Sequence, residues 1–233
     1  MTCRSGQGTP ASGAYCAAML EIERRDGVAI VRWEDGENRF HRASVQRWHE
    51  VLDELEEAEG PLALVVTGQD RFFSNGLDLD GFAADPGTAG EVVDGVHRLF
   101  GRMLLFPAYT VAALNGHTFA AGAMLACCFD VRVMREDRGY WCLPEVDLGL
   151  PLTEPMFAAV TARLTVPAAA EAMNTGRRYG AGDAQAAGLV EHRAPESEVL
   201  DRAVALAAAM VGKDRTVIAR HKRMLFADAA RTC

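Results

Sequence analysis

Apolar and polar residues alternate in two short runs between residues 20 and 33. These runs are Leu20–Arg25 and Val28–Trp33, and Asp26-Gly27 separates them. Alternation with a period of two predicts strands with one buried face, and an Asp-Gly dipeptide favours a tight hairpin turn. The pattern therefore predicts that the core begins with a β-hairpin.

A helical period replaces the alternation after Ser44. Apolar residues recur there at intervals of three and four, at Val45, Trp48, Val51, Leu52 and Leu55. This spacing predicts an amphipathic helix that Ser44 caps and that Gly60-Pro61 ends. The short apolar run 62–67 that follows predicts a buried strand.

Strand, turn and helix patterns continue to alternate up to about residue 153. Residues 80–90 are rich in Gly, Pro and Asp and predict a mobile loop, and 92–106 has helical spacing. Residues 110–114 and 130–134 predict strands on either side of a helix of small residues at 120–128. Such alternation favours an α/β domain.

Only helical spacing remains beyond Glu154. The predicted helices are 154–163, 167–174, 181–187, 197–211 and 215–226. At the other end, residues 1–18 lack the apolar stretch of a secretory signal and predict a flexible tail. We therefore expect a single domain over 19–233, with its strands before about residue 153 and a helical C-terminal region from about 154.

Composition and charge narrow the functional classes. The 233 residues, 49% hydrophobic and 24% charged, suffice for one core. A net charge of −8 without a run of five or more basic residues argues against nucleic-acid or anionic-membrane partners, and no apolar run approaches the roughly 20 residues of a membrane span. The six cysteines form no C-x-x-C pair or zinc-type spacing, so we expect no metal site and a reducing, cytoplasmic location.

Three short segments carry residues suited to one reaction. Residues 72–79 (FFSNGLDL) and 115–122 (NGHTFAAG) each place small residues at a turn after an apolar strand. Backbone N–H groups at such turns can converge on one oxygen atom. The third segment, 143–149 (LPEVDLG), supplies the carboxylate of Glu145 directly after Pro144, and this group can move a proton.

In this order the three segments resemble the enoyl-CoA hydratase/isomerase family, also called the crotonase superfamily. The resemblance runs from about Leu20 to the end of the chain and is greatest to 3-enoyl-CoA to 2-enoyl-CoA isomerases. It implies an α/β crotonase-like spiral of repeated β-β-α units, assembled as a homotrimer or a dimer of trimers. It also implies an acyl-CoA thioester substrate, with coenzyme A as part of the substrate and no permanently bound cofactor.

The resemblance assigns roles residue by residue. The N–H groups of Leu77 and Ala121 correspond to the two donors of an oxyanion hole, and Gly76 and Gly122 permit the close turns. Glu145 corresponds to the acid/base, and its apolar neighbours predict a raised pKa. A surface glutamate after a turn-forming proline is the competing interpretation of Glu145.

Met124 occupies the position where typical enoyl-CoA hydratases carry a second glutamate. Hydration needs two positioned acid/base groups, whereas allylic isomerisation can proceed with one. The sequence therefore favours isomerisation of a 3-enoyl-CoA to the 2-trans-enoyl-CoA. A hydratase or another crotonase-type lyase stays open as an alternative, as does a non-catalytic CoA-thioester-binding subunit.

Further residues are expected to bind the substrate. They are Ser74, Asn75, Gly76, Asp78, Gly122, Met124, Leu150, Phe157 and Lys222. The carbonyl of Asn75 corresponds to an acceptor for the adenine amino group. Lys222 belongs to the basic run 220–223, which suits a CoA phosphate. Phe82 and Leu148 are expected in the acyl pocket with Met124, Leu150 and Phe157, although each would also serve as ordinary core.

Overall fold

The computed structural model describes residues 19–233. Its strands are β1 (Leu20–Arg25), β2 (Val28–Trp33), β3 (Arg39–Phe40), β4 (Ala63–Thr67), β5 (Phe72–Ser74), β6 (Gly76–Leu77), β7 (Tyr109–Leu114), β8 (His117–Phe119), β9 (Val131–Arg135), β10 (Trp141–Cys142) and β11 (His192–Ala194). Its helices are α1 (Arg42–Glu57), α2 (Leu79–Ala84), α3 (Ala89–Leu105), α4 (Ala121–Cys127), α5 (Glu145–Leu148), α6 (Glu154–Thr161), α7 (Val166–Thr175), α8 (Ala181–Ala186), α9 (Val199–Ala208) and α10 (Arg215–Thr232).

A six-stranded sheet forms the centre, with the strand order β1-β2-β4-β7-β9-β11. Strands β1 and β2 form the predicted antiparallel hairpin, while the remaining neighbours pair in parallel. Both turn residues of the hairpin have positive φ, 46° at Asp26 and 83° at Gly27. Two successive positive φ angles match the twist of the flanking strands, so the Asp-Gly signal was sufficient here.

A smaller parallel sheet has the strand order β10-β8-β5, and the chain passes into it from the large sheet. Each of β4, β7 and β9 is followed within a few residues by β5, β8 or β10, and a helix comes next. The repetition confirms the expected spiral of β-β-α units. Because the chain passes from one sheet to the other at each repeat, the connections after β5 and β8 come side by side.

Two apolar clusters bury the large sheet. The larger one joins the inner faces of α1, α3 and α4 to one side of the sheet, and it includes Trp33, Trp48 and Phe100. On the other side, Val65 and Val111 pack with α9. Since every residue of β4 is buried, this strand is a continuous apolar run, as expected for a parallel sheet covered on both faces.

Helix α1 begins at Arg42, two residues before the predicted cap. His41 is the N-cap: its ring accepts from the Ser44 N–H at 3.4 Å, and the Ser44 hydroxyl accepts from the His41 N–H at 2.9 Å. Ser44 is therefore the third helical residue of a capping box. The prediction that Ser44 is the cap itself was wrong because histidine can fill the cap through its ring nitrogen.

Residues 80–90 are not the irregular loop that their composition predicted. They contain most of α2 and a short 3-10 helix, Pro86–Thr88. The N–H of Phe82 donates to the carbonyl of Asp78 at 3.0 Å, and that of Asp85 to Gly81 at 2.9 Å. These local hydrogen bonds satisfy the backbone without a neighbouring strand, so Gly and Pro do not prevent helical turns here.

The five helices predicted beyond residue 154 are present as α6 to α10, with different ends. The main differences are that α9 begins only at Val199, after a 3-10 turn, and that α10 continues to Thr232. Strand β11, which pairs in parallel with β9, was not predicted. No helix within residues 19–233 has both the length and the apolar character needed to cross a membrane.

Helix α10 is anchored by a buried ion cluster at Asp130. The ammonium group of Lys222 lies 2.6 Å from Asp130 Oδ2 and donates to the carbonyl of Ala108 at 2.8 Å, while Arg163 lies 2.6 Å from Asp130 Oδ1. Burial opposes ionisation of Asp130, but Lys222 and Arg163 outweigh it and lower its pKa. Lys222 is only 4% exposed, so its predicted contact with a CoA phosphate is wrong.

Candidate active site

The first predicted turn joins β5 to β6 and is held by buried hydrogen bonds. The Ser74 hydroxyl donates to the carbonyl of Asn38 at 2.7 Å and accepts from the Gly76 N–H at 3.2 Å. The Asn38 amide in turn donates to the carbonyls of Phe72 and Phe73. Because the Ser74 hydroxyl is hydrogen-bonded to the backbone of Asn38 and Gly76, it stabilises the turn and its proton is not available to a ligand.

The second turn joins β8 to α4 and has an unusual backbone. Ala120 has φ 50° and ψ −127°, a backbone conformation that residues other than glycine rarely adopt. Such a conformation costs on the order of 1–3 kcal/mol and persists only where its surroundings enforce it. Ala121 is the first residue of α4, where a backbone N–H has no partner within the helix. The turn therefore presents this N–H outside the helix.

The two turns touch at Gly76. A Cβ atom added to Gly76 would lie 2.8 Å from Ala120 Cβ and 3.2 Å from the backbone nitrogen of Ala121. A Cβ added to Gly122 would lie 2.6 Å from Ser74 Cβ. Both glycines are therefore required for close approach, and Gly76 also has a positive φ of 81°. Their absent side chains bring the Leu77 and Ala121 segments together.

Glu145 is the first residue of α5 and is nearly buried. Only 8% of it is exposed, and its Oε2 atom is buried without a hydrogen-bond partner. Burial raises the pKa of this carboxyl to about 7, opposed only by a hydrogen bond from its own backbone. The alternative of an ordinary surface glutamate is excluded. A carboxyl with a pKa near neutrality suits a group that both accepts and returns a proton.

One cavity of about 640 Å³ is lined by Leu77, Ala121 and Glu145, one residue from each of the three motifs. Its apolar wall includes Phe82, Val93, Leu148, Leu150 and Met156. Polar side chains at Arg39, Asn75, Asp80, Thr153 and Arg178 also line it. The cavity thus joins two backbone turns, one desolvated carboxyl and an apolar surface, which is the arrangement that enolate chemistry on an acyl thioester requires.

Several residues predicted to bind substrate lie elsewhere. Met124 is fully buried in α4 and is absent from the cavity wall. Phe157 lines a neighbouring open groove between α5, α6 and α10. Asp78 forms an ion pair with Arg39, its Oδ1 lying 3.2 Å from the Arg39 guanidinium. The cavity wall thus does not include Met124 or Phe157, because helical spacing does not reveal which apolar residues border an open space, and their contact with substrate stays a prediction.

Sequence reasoning also missed residues that the fold brings to the cavity. Thr153, Met156 and Arg178 come from the helical C-terminal region, and Val93 comes from α3. The sequence distances between these residues and the three motifs do not indicate that they line one cavity. The packing of α6 against α3 and α4 brings this region to the site. Arg178 alone could have been flagged, as the second member of an Arg-Arg pair before a buried tyrosine.

Comparison with known proteins decides the family. The profile of the enoyl-CoA hydratase/isomerase family matches residues 23–232. The chain belongs to this family. It is 33% identical over 193 residues to the peroxisomal enoyl-CoA delta isomerase 2 of Arabidopsis thaliana, covering 77% of this chain and 79% of the relative. Enoyl-CoA delta isomerase 3 of the same plant is 31% identical over 228 residues, covering 91% and 94%.

A solved structure gives the same result for the fold. The probable enoyl-CoA hydratase EchA3 of Mycobacterium tuberculosis H37Rv superposes with a TM-score of 0.84 at 28% identity, covering 92% of this chain and 91% of the other. The protein is therefore an enzyme of the enoyl-CoA hydratase/isomerase family with the crotonase fold, as its motifs indicated. Its relatives are named for two reactions, so membership of the family does not choose between them.

Gly76→Ala tests the contact between the two turns. We expect this variant to lose about 1–2 kcal/mol from left-handed strain and, because Ala121 must move, about 10²–10³-fold in kcat for enoyl-CoA turnover. Gly60→Ala is the matched control, since Gly60 has φ 83° and no atom within 4 Å of the added Cβ. It should lose similar stability but no activity. Equal kcat for both variants would refute the assignment of this turn to the oxyanion hole.

Glu145→Gln tests the desolvation of the carboxyl. The folded pKa of about 7 exceeds the ordinary value of 4.5, so ionisation of Glu145 destabilises the fold as pH rises through this window. Glutamine does not ionise. Denaturant titrations should therefore show the variant more stable than wild type by about 1–3 kcal/mol at pH 8, with the difference shrinking as pH falls from 7 to 4.5. A difference that is the same at both pH values would contradict the raised pKa.

Proposed function

We propose that the protein is an enoyl-CoA isomerase that moves a double bond from the 3 position of an acyl-CoA to the 2-trans position. One observation carries the proposal. The cavity with the Leu77 and Ala121 turns contains a single buried carboxyl, Glu145, and the Oε2 atom of that carboxyl lacks a hydrogen-bond partner. The other carboxylate on the cavity wall, Asp80, is exposed and paired with Arg39.

The first step removes a proton from the carbon next to the thioester carbonyl. Glu145 accepts this proton, and the electrons move onto the carbonyl oxygen to give an enolate. The N–H groups of Leu77 and Ala121 donate to that oxygen. Each fixed donor of this kind lowers the barrier by about 3–4 kcal/mol, because it faces the charge that develops in the transition state.

The second step returns the proton to the γ carbon. The enolate electrons shift back through the conjugated system, and Glu145 donates the proton that it has just accepted. Substrate and product have the same atoms, so the reaction needs neither water nor a second acid. A pKa near 7 lets the same carboxyl act first as base and then as acid, because neither protonation state is strongly favoured at neutral pH.

Hydration is the second candidate, and a pair of residues in the cavity wall favours it. Thr153 lines the cavity, and its hydroxyl lies 2.9 Å from Nε2 of the nearly buried His97. Burial lowers the pKa of His97, so the ring is neutral at pH 7 and able to relay a proton through Thr153. This pair would supply the second acid/base group that Met124 does not.

A product assay separates the two reactions. We expect a 3-enoyl-CoA to gain the ultraviolet absorbance of a conjugated thioester with no change in mass. Glu145→Gln should reduce kcat by about 10²–10⁴-fold because glutamine keeps the size of the side chain but cannot accept the proton. The exposed neighbour Glu154 provides the control, and Glu154→Gln should leave kcat unchanged.

The other outcomes have distinct meanings. A product heavier by one water, formed from a 2-enoyl-CoA and lost in His97→Gln, would replace the isomerase by a hydratase. Full activity of Glu145→Gln would reject Glu145 as the acid/base. Tight thioester binding without turnover of either substrate would identify a CoA-thioester-binding subunit instead.

We also propose that a second copy of the chain covers the groove between α5, α6 and α10, in a homotrimer. Large apolar side chains are exposed around it, among them Val146, Leu150, Phe157 and Leu225. An exposed apolar surface of this kind is typical of an interface. Light scattering coupled to size exclusion should give three times the chain mass, and Leu225→Asp should lower it. A monomeric wild type would refute the proposal.

A further inference from the structure

The guanidinium group of Arg39 pairs with three carboxylates at the edge of the candidate active-site cavity. Its Nε and Nη2 atoms lie 2.9 Å and 2.8 Å from Glu37 Oε2, and its Nη1 atom lies 3.2 Å from Asp78 Oδ1 and 2.7 Å from Asp80 Oδ2. No other cation among residues 19–233 pairs with more than two carboxylates. The planar fork of arginine suits this arrangement, because its nitrogens can face different oxygens at the same time.

Two of these carboxylates hold the ends of strand β6, which carries Leu77. Strand β3 carries Arg39 and pairs in parallel with β6. The Glu37 carbonyl accepts from the N–H of Asn75 at 3.0 Å, and the Glu37 Oε2 atom accepts from the Asn75 side chain at 2.8 Å. Glu37 thus fixes the residue directly before β6, whereas Asp78 is the residue directly after it. The side chain of Arg39 joins the two.

Asp78 is the N-cap of α2, yet its side chain does not cap the helix. An aspartate in this position normally accepts a hydrogen bond from a backbone N–H of the first helical turn. Here the carboxylate pairs with Arg39, and its Oδ2 atom lies where an added Cβ at Gly81 would be only 2.5 Å away. The orientation of Asp78 therefore depends on Arg39 rather than on the helix that Asp78 begins.

The third partner of Arg39 lies on α2. No residue of α2 is buried, although Leu79, Asp80 and Phe82 line the cavity. The pair with Asp80 is exposed, since 88% of the Asp80 side chain is open to solvent, whereas only 26% of the Asp78 side chain is. Exposed ion pairs contribute little. Arg39 therefore acts mainly on Asp78 and Glu37, which means on β6.

We propose that Arg39 is a positioning residue for the reaction, which holds β6 in the geometry that the proposed oxyanion hole requires. The inference rests on the proposed function. Donors that stabilise an enolate act best when they are fixed before the charge develops, and a misplacement of about 1 Å can reduce the rate about 10²-fold. The Ser74 hydroxyl supports this turn from the core, and Arg39 supports it from the cavity side.

The kinetic test compares Arg39→Gln with Arg102→Gln. Arg102 is the matched control, because it pairs with two carboxylates, its side chain is 23% exposed against 30% for Arg39, and it lies outside the cavity wall. With a 3-enoyl-CoA, Arg39→Gln should lose about 10-fold to 100-fold in kcat, with KM changed less than about threefold. Arg102→Gln should lose stability but keep the kcat of wild type.

Substitutions of the partners test how the effect reaches β6. Asp78→Asn keeps the shape of the side chain but weakens its pairing with Arg39, so it should lower kcat about tenfold. Asp80→Asn should have the smaller effect. The double variant Arg39→Gln/Asp78→Asn should lose no more than about twofold beyond Arg39→Gln, since residues that act as one unit are not additive. If Arg39→Gln does not fold, Asp78→Asn provides the kinetic test.

Arg39→Lys separates the geometry of the side chain from its charge. Lysine keeps the positive charge but presents one ammonium group, which cannot hold Glu37 and Asp78 as the fork of arginine does. Its kcat should therefore stay at least about fivefold below that of wild type.

Hydrogen exchange measures the positioning without turnover. The amides of residues 75–78 should exchange at least about tenfold faster in Arg39→Gln than in wild type, while those of the buried strand β4 are unchanged. In Arg102→Gln the amides of 75–78 should exchange as in wild type. Faster exchange in β4 as well would indicate a general loss of stability.

Several results would overturn the inference. Wild-type kcat in Arg39→Gln, or unchanged exchange at 75–78, would show that β6 does not need Arg39. A raised KM with unchanged kcat would place Arg39 on the substrate instead. Full kcat in Arg39→Lys would reduce its role to charge, and a larger loss in Asp80→Asn than in Asp78→Asn would move the effect to α2.

Failure of the proposed function is a separate result. If wild type converts no 3-enoyl-CoA while exchange at 75–78 is faster in Arg39→Gln alone, the positioning of β6 by Arg39 stands and the isomerase assignment falls. If wild type isomerises the substrate and Arg39→Gln does so equally well, the isomerase assignment stands and the positioning role falls.

Discussion

The contact between the turn at Gly76 and the turn at Ala120 is the constraint on which the site depends. A Cβ at Gly76 would overlap that of Ala120, and both residues have positive φ. The strain at Ala120 is tolerated because Ala121 begins a buried helix. The turn at Gly76 is held in place by the hydrogen bonds of the Ser74 hydroxyl. The backbone N–H groups of Leu77 and Ala121, which we propose as the oxyanion donors, are thereby brought together by packing, so the identity of their side chains matters little.

Glu145, the proposed acid/base, depends instead on the surroundings of its side chain. Glu145 follows a proline, begins a helix of four residues and is placed under apolar walls, so its carboxyl is desolvated. That environment opposes stability at neutral pH and favours proton transfer. The site therefore combines a rigid donor pair with a carboxyl whose ionisation the fold makes unfavourable, a conflict often found where structure serves catalysis.

A buried ion cluster attaches the C-terminal helix to the rest of the fold. At Asp130, two cations are buried against one carboxylate, and this cluster attaches α10 to the start of β9. Lys222, buried and paired in this cluster, therefore serves to anchor the helix.

The sequence by itself determined the hairpin, the buried strands, the C-terminal helices and the three motifs of the site, because these depend on local period, turn chemistry and residue type. The family followed from the same motifs. Only the tertiary structure decided that Lys222 is buried, that Met124 and Phe157 lie off the cavity, that 80–90 is helical, and that Thr153 and Arg178 reach the site. Those facts depend on which elements pack together across long sequence distances, and no local pattern along the chain records such packing.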